Sequence, residues 1–210
     1  MAKRAEMVET RRKKRRQQIF EGAVKVFAEK GFHAATTRDI AEAAGLAKGT
    51  LYEYVEDKEG ILMLACEETI STIRSEIDKS ISDIDDPAER LRLAIHVHLK
   101  FARKYRSAAK VLKNEMSNLG AEGRETYAKL VSSQIDLLLS ILDEGVAAGR
   151  FKKHNTRISA EIFLHTCTFY FDYGDWPYHQ SSLNEITDFI TDNFVQAIVK
   201  GKGGAAKKRN

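Results

Sequence analysis

Apolar residues along this chain of 210 residues recur at intervals of three and four, which is the period of an α-helix. No segment shows the strict alternation of apolar and polar positions that is typical of a half-buried strand. The two prolines, Pro87 and Pro177, leave long stretches in which helices can continue without interruption. The pattern therefore predicts an all-α protein with about nine helices.

Glycines and capping residues divide this pattern into separate helices. The predicted helices are, in order, a first helix that ends at Gly31, a short second helix capped by Thr36 or Thr37 and ended by Gly45, a third over about 48–54, a longer one from Lys58, one that starts at Asp86-Pro87, and four over about 108–119, 130–146, 157–173 and 183–199.

The most informative segment lies within residues 36–55. Two short helices joined at a steep angle by about three residues require small or flexible residues at fixed positions. Ala41 is small where the second helix crosses it, and Gly45 can adopt the positive φ that ends the first helix abruptly. The apolar residues that fill the wedge between the helices are Ile40, Ala44, Leu46, Leu51 and Val55. This pattern predicts a helix-turn-helix whose second helix presents its polar face to a DNA major groove.

The same region carries a resemblance to a known family. Four stretches follow one another at fixed spacing: Ile19…Ala23…Phe27…Lys30-Gly31-Phe32, Thr37-Arg38-Asp39-Ile40-Ala41…Ala44-Gly45, Lys48-Gly49-Thr50-Leu51-Tyr52-Glu53-Tyr54 and Asp57-Lys58-Glu59…Leu62. Residues 13–73 thereby resemble the DNA-binding domain of the TetR family of bacterial transcriptional regulators. Two positions depart from the family pattern. Val55 stands where Phe is usual, and Ala47 stands where Ser or Thr is common, so a helix cap is missing.

The resemblance implies which residues contact DNA. Phosphate contacts fix the register of the protein on the duplex, whereas contacts in the groove specify the sequence. The implied contacts are Thr37, Tyr54 and Lys58 at phosphates, Lys48, Thr50 and Tyr52 at bases or the phosphates beside them, Gly49 as a point of close approach, and Arg38 at either the backbone or a base edge.

Charge is distributed unevenly, although the formal net charge at pH 7 is only +4. Residues 1–16 have a net charge of +6, residues 200–210 have a net charge of +5, and the body between them has a net charge of −7. We predict a flexible basic arm over 1–12 and a disordered basic tail over 201–210. The run from Arg11 to Arg16 leads into the DNA-binding domain, where basic residues can lie along phosphates or enter the minor groove.

Residues 74–200 are predicted to form a domain for effector binding and dimerisation, because the layout of their helices resembles that of the family. In the family the last two helices usually pair with those of a second subunit. The dimer-interface candidates are Ile158, Ile162, Phe169, Ile186, Phe189, Ile190 and Phe194. The candidates for an effector pocket are Cys66, His96, Phe101, Met116, Tyr127, His165, Phe169 and Tyr173, although aromatic and methionine residues at helical spacing are more often core.

Other features restrict the class of protein. Cys66 and Cys167 lie far apart without a CxxC spacing, which indicates reduced thiols. The sequence lacks the apolar run of a membrane span and the apolar segment of a signal peptide. We expect a cytoplasmic protein with no metal, no cofactor and no membrane partner.

The leading hypothesis is a ligand-responsive, dimeric repressor that binds a near-palindromic double-stranded DNA operator and is released by a small, partly apolar effector. A fatty-acyl compound is one candidate effector by analogy of fold. An activator or a co-repressed regulator of the same fold remains an alternative. A small α-helical enzyme is a weaker alternative, since no catalytic motif is present. A protein that coats nucleic acid or a membrane surface through its two basic ends is another weaker alternative.

Overall fold

The computed structural model of the chain describes residues 2–115, 119–172 and 181–200. These residues form nine helices joined by short connections, which confirms the all-α prediction. The helices are α1 (Ala2–Ala34), α2 (Thr37–Ala43), α3 (Lys48–Tyr52), α4 (Lys58–Ile81), α5 (Pro87–Lys104), α6 (Arg106–Glu115), α7 (Ala121–Ala147), α8 (Thr156–Asp172) and α9 (Leu183–Ile198).

Helix α1 begins at Ala2, so the segment for which the sequence predicts a flexible arm is helical from that residue onwards. The segment contains no glycine or proline and is rich in Ala, Glu, Met, Lys and Arg, all of which are good helix formers. Because it continues a helix that is already packed, it avoids the cost of starting a new one. The regular helix ends at Gly31, whose φ is 72°.

The chain divides into two compact units. Unit 1 contains Met1–Ile73 and Ala102–Ser132, and unit 2 contains Arg74–Phe101 and Ser133–Asn210. The first segment of unit 1 ends at residue 73, and α6 and the first half of α7 belong to the same unit. The predicted bounds assign both of these elements to the effector and dimerisation domain. One reason for their place in unit 1 is aromatic packing, because the ring centroid of Tyr105, just before α6, lies 5.2 Å from that of Phe20 in α1.

The core of unit 1 is built on the apolar face of α1. Ile19 and Phe27 of α1 are buried together with Ile40 of α2, Leu51 of α3 and Leu62 of α4. Each short helix therefore contributes a large apolar side chain to one shared core. This packing stabilises helices that are too short to form in isolation.

The core of unit 2 contains Leu91 of α5, Ile141 of α7 and Phe163 of α8, which are all fully or almost fully buried. Pro87 begins α5 as predicted, and the carboxylate of Asp86 accepts hydrogen bonds from the guanidinium of Arg150 at 2.8 and 3.1 Å. Within the described part of the chain, no helix has both the length and the apolar character that crossing a membrane requires.

Candidate nucleic-acid interface

Helix α2 begins with a capping box. The hydroxyl of Thr36 accepts a hydrogen bond from the backbone N–H of Asp39 at 3.1 Å, and the carboxylate of Asp39 accepts one from the backbone N–H of Thr36 at 3.0 Å. The ammonium of Lys30 lies 2.8 Å from the same carboxylate. Hydrogen bonds from Lys30 and Thr36 hold the pKa of Asp39 at about 2. The start of α2 is thus fixed to the end of α1. Of the two candidate caps, Thr36 and Thr37, the structure uses Thr36.

The turn between α2 and α3 has the predicted chemistry. Gly45 has a φ of 64°, in the left-handed region that glycine adopts without strain. The backbone N–H of Leu46 donates to the carbonyl of Ala41 at 2.9 Å, which closes the turn. Ala47 occupies the cap position of α3 with extended backbone and makes no side-chain hydrogen bond. The missing cap is therefore confirmed.

The face of α3 that points away from the core carries the predicted groove-facing residues. Lys48 and Gly49 are exposed, Thr50 is half-buried, and the side chain of Tyr52 is 44% exposed. A side chain on Gly49 would meet nothing within 4 Å, so this surface is open to a partner. Leu51, on the opposite side, is fully buried.

Tyr52 connects the polar ends of both short helices. Its hydroxyl lies 3.2 Å from the hydroxyl of Thr37 at the start of α2. The ammonium of Lys48 lies 5.6 Å from the centroid of the Tyr52 ring, within the range of a cation–π contact. The structure thus brings three of the sequence-predicted residues into one surface, and Arg38 is exposed one residue after Thr37.

Lys58 has a different role from the one that the resemblance implies. Its ammonium donates to the carbonyl oxygens of Phe32, His33 and Ala35 at 2.8, 3.1 and 3.1 Å. An ammonium has three hydrogens, and all three are used here. Lys58 therefore satisfies carbonyls at the end of α1, and in this arrangement no hydrogen remains for a phosphate. The tyrosine of the same predicted group, Tyr54, is half-buried against the core of unit 1.

Sequence reasoning missed Gly22 in α1. A Cβ at this position would lie 2.8 Å from the backbone nitrogen of Ala44 and 3.0 Å from the carbonyl oxygen of Ile40. The absence of a side chain therefore lets α2 approach α1 closely. The available signal was a glycine inside an otherwise apolar helical pattern, which often marks close packing.

The effector-pocket candidates that the structure describes fall in both units. Cys66 and Tyr127 both pack against the core of unit 1, where burial raises the pKa of Cys66 to about 12 and also raises the pKa of Tyr127. His96 and His165 are exposed, and their role as pocket-lining groups stays a prediction. Phe101 is half-buried in unit 2. Met116 and Tyr173 lie outside the described residues, and so does the side chain of Phe169.

The position of His96 has a simple cause. Residues two apart on a helix point about 160° apart, so His96 and His98 lie on different faces of α5. His98 is the buried member, and its ring centroid lies 5.4 Å from that of Phe163 in an edge-to-face contact. Burial lowers the pKa of His98 to about 4.

Among the residues of unit 2 whose side chains the structure describes, the dimer candidates include the most exposed large apolar ones. Ile158 and Ile162, one turn apart on α8, are 51% and 56% exposed, and Phe189 on α9 is 69% exposed. Ile186, Ile190 and Phe194 are half-buried. Phe194 also contacts Phe163 with a centroid distance of 5.7 Å, so it contributes to the core of its own unit.

These features define a class of protein. A short helix with an exposed polar face, α3, shares a buried core with α1, α2 and α4 and follows α2 after a turn at Gly45, which is the arrangement of a helix-turn-helix DNA-binding domain. A second helical unit follows it.

Comparison with known proteins identifies the family. The family model described as "Bacterial regulatory proteins, tetR family" matches residues 19–64, and the model described as "Tetracyclin repressor-like, C-terminal domain" matches residues 84–172. The chain belongs to the TetR family. It is a DNA-binding transcriptional regulator and not an enzyme.

Two similar sequences and one solved structure illustrate the relatives of this chain. The fatty acid metabolism regulator protein of Bacillus subtilis (strain 168) is 29% identical over 150 residues, which cover 71% of this chain and 77% of the relative. The transcriptional repressor KstR2 of Rhodococcus jostii (strain RHA1) is 27% identical over 139 residues, covering 66% and 68% of the two chains. The crystal structure of the regulator FadR from Bacillus subtilis in complex with stearoyl-CoA superposes with a TM-score of 0.75 at 25% identity, covering 87% of this chain and 98% of that one.

Proposed function

We propose that two copies of this chain bind a near-palindromic DNA operator as a repressor, with α3 of each copy in the major groove. The observation that carries the proposal is the open polar face of α3, where Lys48 and Tyr52 stand beside an unobstructed Gly49. The same surface also includes Thr50 of α3 and Thr37 and Arg38 of α2. A dimer supplies two such faces, and a palindromic site matches their two-fold symmetry.

The DNA interface can be tested by fluorescence anisotropy with a duplex from the upstream region of the protein's own gene. We expect the triple variant Lys48→Ala/Thr50→Ala/Tyr52→Ala to bind this duplex no better than a random duplex of equal length. The matched control is Lys25→Ala/Lys79→Ala/Ser80→Ala, which changes three exposed side chains outside the interface and should retain discrimination. Equal discrimination by wild type and triple variant would contradict the proposed interface.

We further propose a long-chain acyl-CoA as the effector. Support comes from the similarity to Bacillus subtilis FadR, whose crystal structure contains stearoyl-CoA. An apolar chain attached to a polar, anionic head also agrees with the small, partly apolar ligand expected from the sequence. Such a ligand releases the operator only if it binds the DNA-free conformation more tightly than the DNA-bound one.

Titration of the operator complex with stearoyl-CoA tests this proposal. We expect release of the duplex at micromolar stearoyl-CoA, whereas CoA alone should leave the complex intact. Stearate with CoA added separately controls for detergent-like effects of the chain. Retention of the duplex at every stearoyl-CoA concentration below its critical micelle concentration would exclude this effector. Tighter binding in its presence would instead identify a co-repressed regulator.

A further inference from the structure

The basic N-terminal segment of the chain is an exposed extension of α1. Residues 4–14 are exposed, and α1 continues through them without a break. Just after this segment, the guanidinium of Arg16 pairs with Glu68 at 2.6 Å and with Glu67 at 2.8 Å. These two ion pairs anchor α1 to α4 at the point where the helix leaves the core. The exposed extension therefore projects in a direction set by the packed part of α1.

Gly22 shows which side of α1 faces the helix-turn-helix. The backbone of α1 at Gly22 lies so close to Ile40 and Ala44 that a Cβ would contact them at about 3 Å. The direction from the helix axis through Gly22 is consequently the direction of α2. An α-helix turns by about 100° per residue, so the residues that share this direction can be found by counting back.

Three arginines share the direction of Gly22. Arg15 precedes it by seven residues, Arg11 by eleven and Arg4 by eighteen. At about 100° per residue, each of these spacings returns to within about 20° of the same direction. Along the axis they lie about 10, 16 and 27 Å before Gly22. We call these residues the arginine stripe.

The other charged residues of the extension lie on different faces. By the same count, Glu6 and Glu9 are about 160° and 140° away from the direction of Gly22. Arg12 and Lys13 are about 80° and 180° away. The acidic residues of the extension therefore point away from the stripe, and Arg12 and Lys13 have similar charge but point elsewhere.

We infer that the arginine stripe is a second DNA-contacting element, which binds the phosphate backbone of double-stranded DNA beside the site that α3 occupies. This inference rests on the proposed DNA interface and extends it. The stripe lies on the side of α1 that faces α2. Guanidinium groups bind phosphates with paired hydrogen bonds. Such contacts do not depend on base sequence, so the stripe adds affinity without adding specificity. Arg16 is not part of it, because its guanidinium is held by Glu67 and Glu68.

The test compares two double variants of the full-length protein that lose the same charge. Arg11→Gln/Arg15→Gln removes two members of the stripe, and Arg12→Gln/Lys13→Gln removes two neighbouring charges on other faces. Binding is measured by fluorescence anisotropy between 50 and 300 mM KCl on the upstream duplex and on a random 40-base-pair duplex. These are about the salt concentrations over which counterion release changes affinity strongly.

We expect the stripe variant to lose at least about tenfold in affinity for both duplexes. The slope of log K against log [KCl] should fall by about 2 for each bound subunit, since each lost phosphate contact removes about 0.9. The control variant should stay within about twofold of wild type. Equal losses in the two variants, or no loss in either, would overturn the inference. Helix content and melting temperature of all variants are compared with wild type first. If Arg11→Gln/Arg15→Gln alters the fold, Arg4→Gln/Arg11→Gln replaces it, because these two residues lie farther from the core.

The two duplexes separate this inference from the proposed function. If wild type does not distinguish the upstream duplex from the random one, the proposed operator is wrong, yet the stripe is still tested on the random duplex. Co-sedimentation with phosphatidylserine vesicles is measured in parallel. A stripe variant that loses vesicle binding but retains DNA binding would assign the stripe to anionic lipid and overturn the inference.

Discussion

At the scale of single residues, Lys58 has a structural role that its motif does not reveal. Its ammonium lies 4.6 Å from the centroid of the Phe32 ring and donates to three carbonyls near the end of α1. The last carbonyls of a helix have no partner within the helix, so they need donors from elsewhere. The same three donors cannot serve a phosphate at the same time.

We therefore expect Lys58→Met to reduce stability rather than to remove a DNA contact. The free energy of unfolding, measured with urea, should fall by about 2 kcal/mol, because charge-assisted hydrogen bonds are lost and carbonyls are left without partners. Lys48→Met is the matched control. It should leave unfolding unchanged and weaken DNA binding. If Lys58→Met is as stable as wild type and lowers the salt dependence of DNA binding, the phosphate role implied by the resemblance is correct.

Gly22 and Gly49 provide a second comparison between matched residues. Gly22→Ala places a methyl group against the backbone of α2, so we expect the free energy of unfolding to fall by about 1–3 kcal/mol. Gly49→Ala adds a methyl group that meets nothing within 4 Å. It should leave stability unchanged or raise it by up to about 1 kcal/mol, since alanine favours helix. Urea unfolding of both variants measures the difference, and equal effects would contradict the close approach of α1 and α2.

At the scale of helices, local signals predict where the short elements begin and end. Thr36 and Gly45 act as the sequence indicates, because a cap or a positive-φ turn depends on residues no more than a few positions away. The extent of α1 is not predictable in the same way. A basic run of this composition is compatible with either a helix or a flexible arm, and continuity with a packed helix decides between them.

The packing of α5 against α8 makes the stability of the protein dependent on pH. The pKa of His98 is about 4 in the folded protein, whereas an unfolded histidine has a pKa of about 6.5. Between these values the unfolded chain binds a proton that the folded chain does not. The contribution of His98 to the free energy of unfolding is therefore complete above about pH 6.5 and decreases as the pH falls towards 4.

We expect the free energy of unfolding to fall by about 2 kcal/mol between pH 7 and pH 5 through His98. Urea unfolding at both pH values should show a smaller fall for His98→Leu. His96→Leu, on the exposed face of α5, should retain the pH dependence of wild type. An identical pH dependence in all three proteins would show that His98 is protonated equally in the folded and unfolded states.

At the scale of the whole molecule, the proposed dimer would cover exposed apolar residues of α8 and α9. A soluble protein rarely leaves several large apolar side chains exposed close together without a partner. Ile158, Ile162 and Phe189 are each more than half exposed. Pairing of these helices with those of another copy would bury them and place two recognition helices on one DNA duplex.

We expect the double variant Ile162→Glu/Phe189→Glu to be monomeric, because dimer formation would bury two unpaired charges. Light scattering after size exclusion should give the mass of one subunit, and operator affinity should fall on the order of 100-fold with loss of the second half-site. His96→Glu, which introduces a charge at an exposed position on α5, should remain dimeric. A double variant that is dimeric and binds the operator like wild type would place the interface elsewhere.

The sequence by itself determined the helical class, the position of the helix-turn-helix and the family. These follow from periodicity, from caps and from a motif at fixed spacing, all of which act over a few residues. The tertiary structure decided what depends on contacts between distant residues. Lys58 reaches carbonyls up to 26 positions away, and Arg16 pairs with glutamates 51 and 52 positions away. It also decided that α6 belongs with α1, and that Gly22 marks the side of α1 on which three arginines lie. Such contacts have no sequence period, because each arises only when the core brings separate helices together.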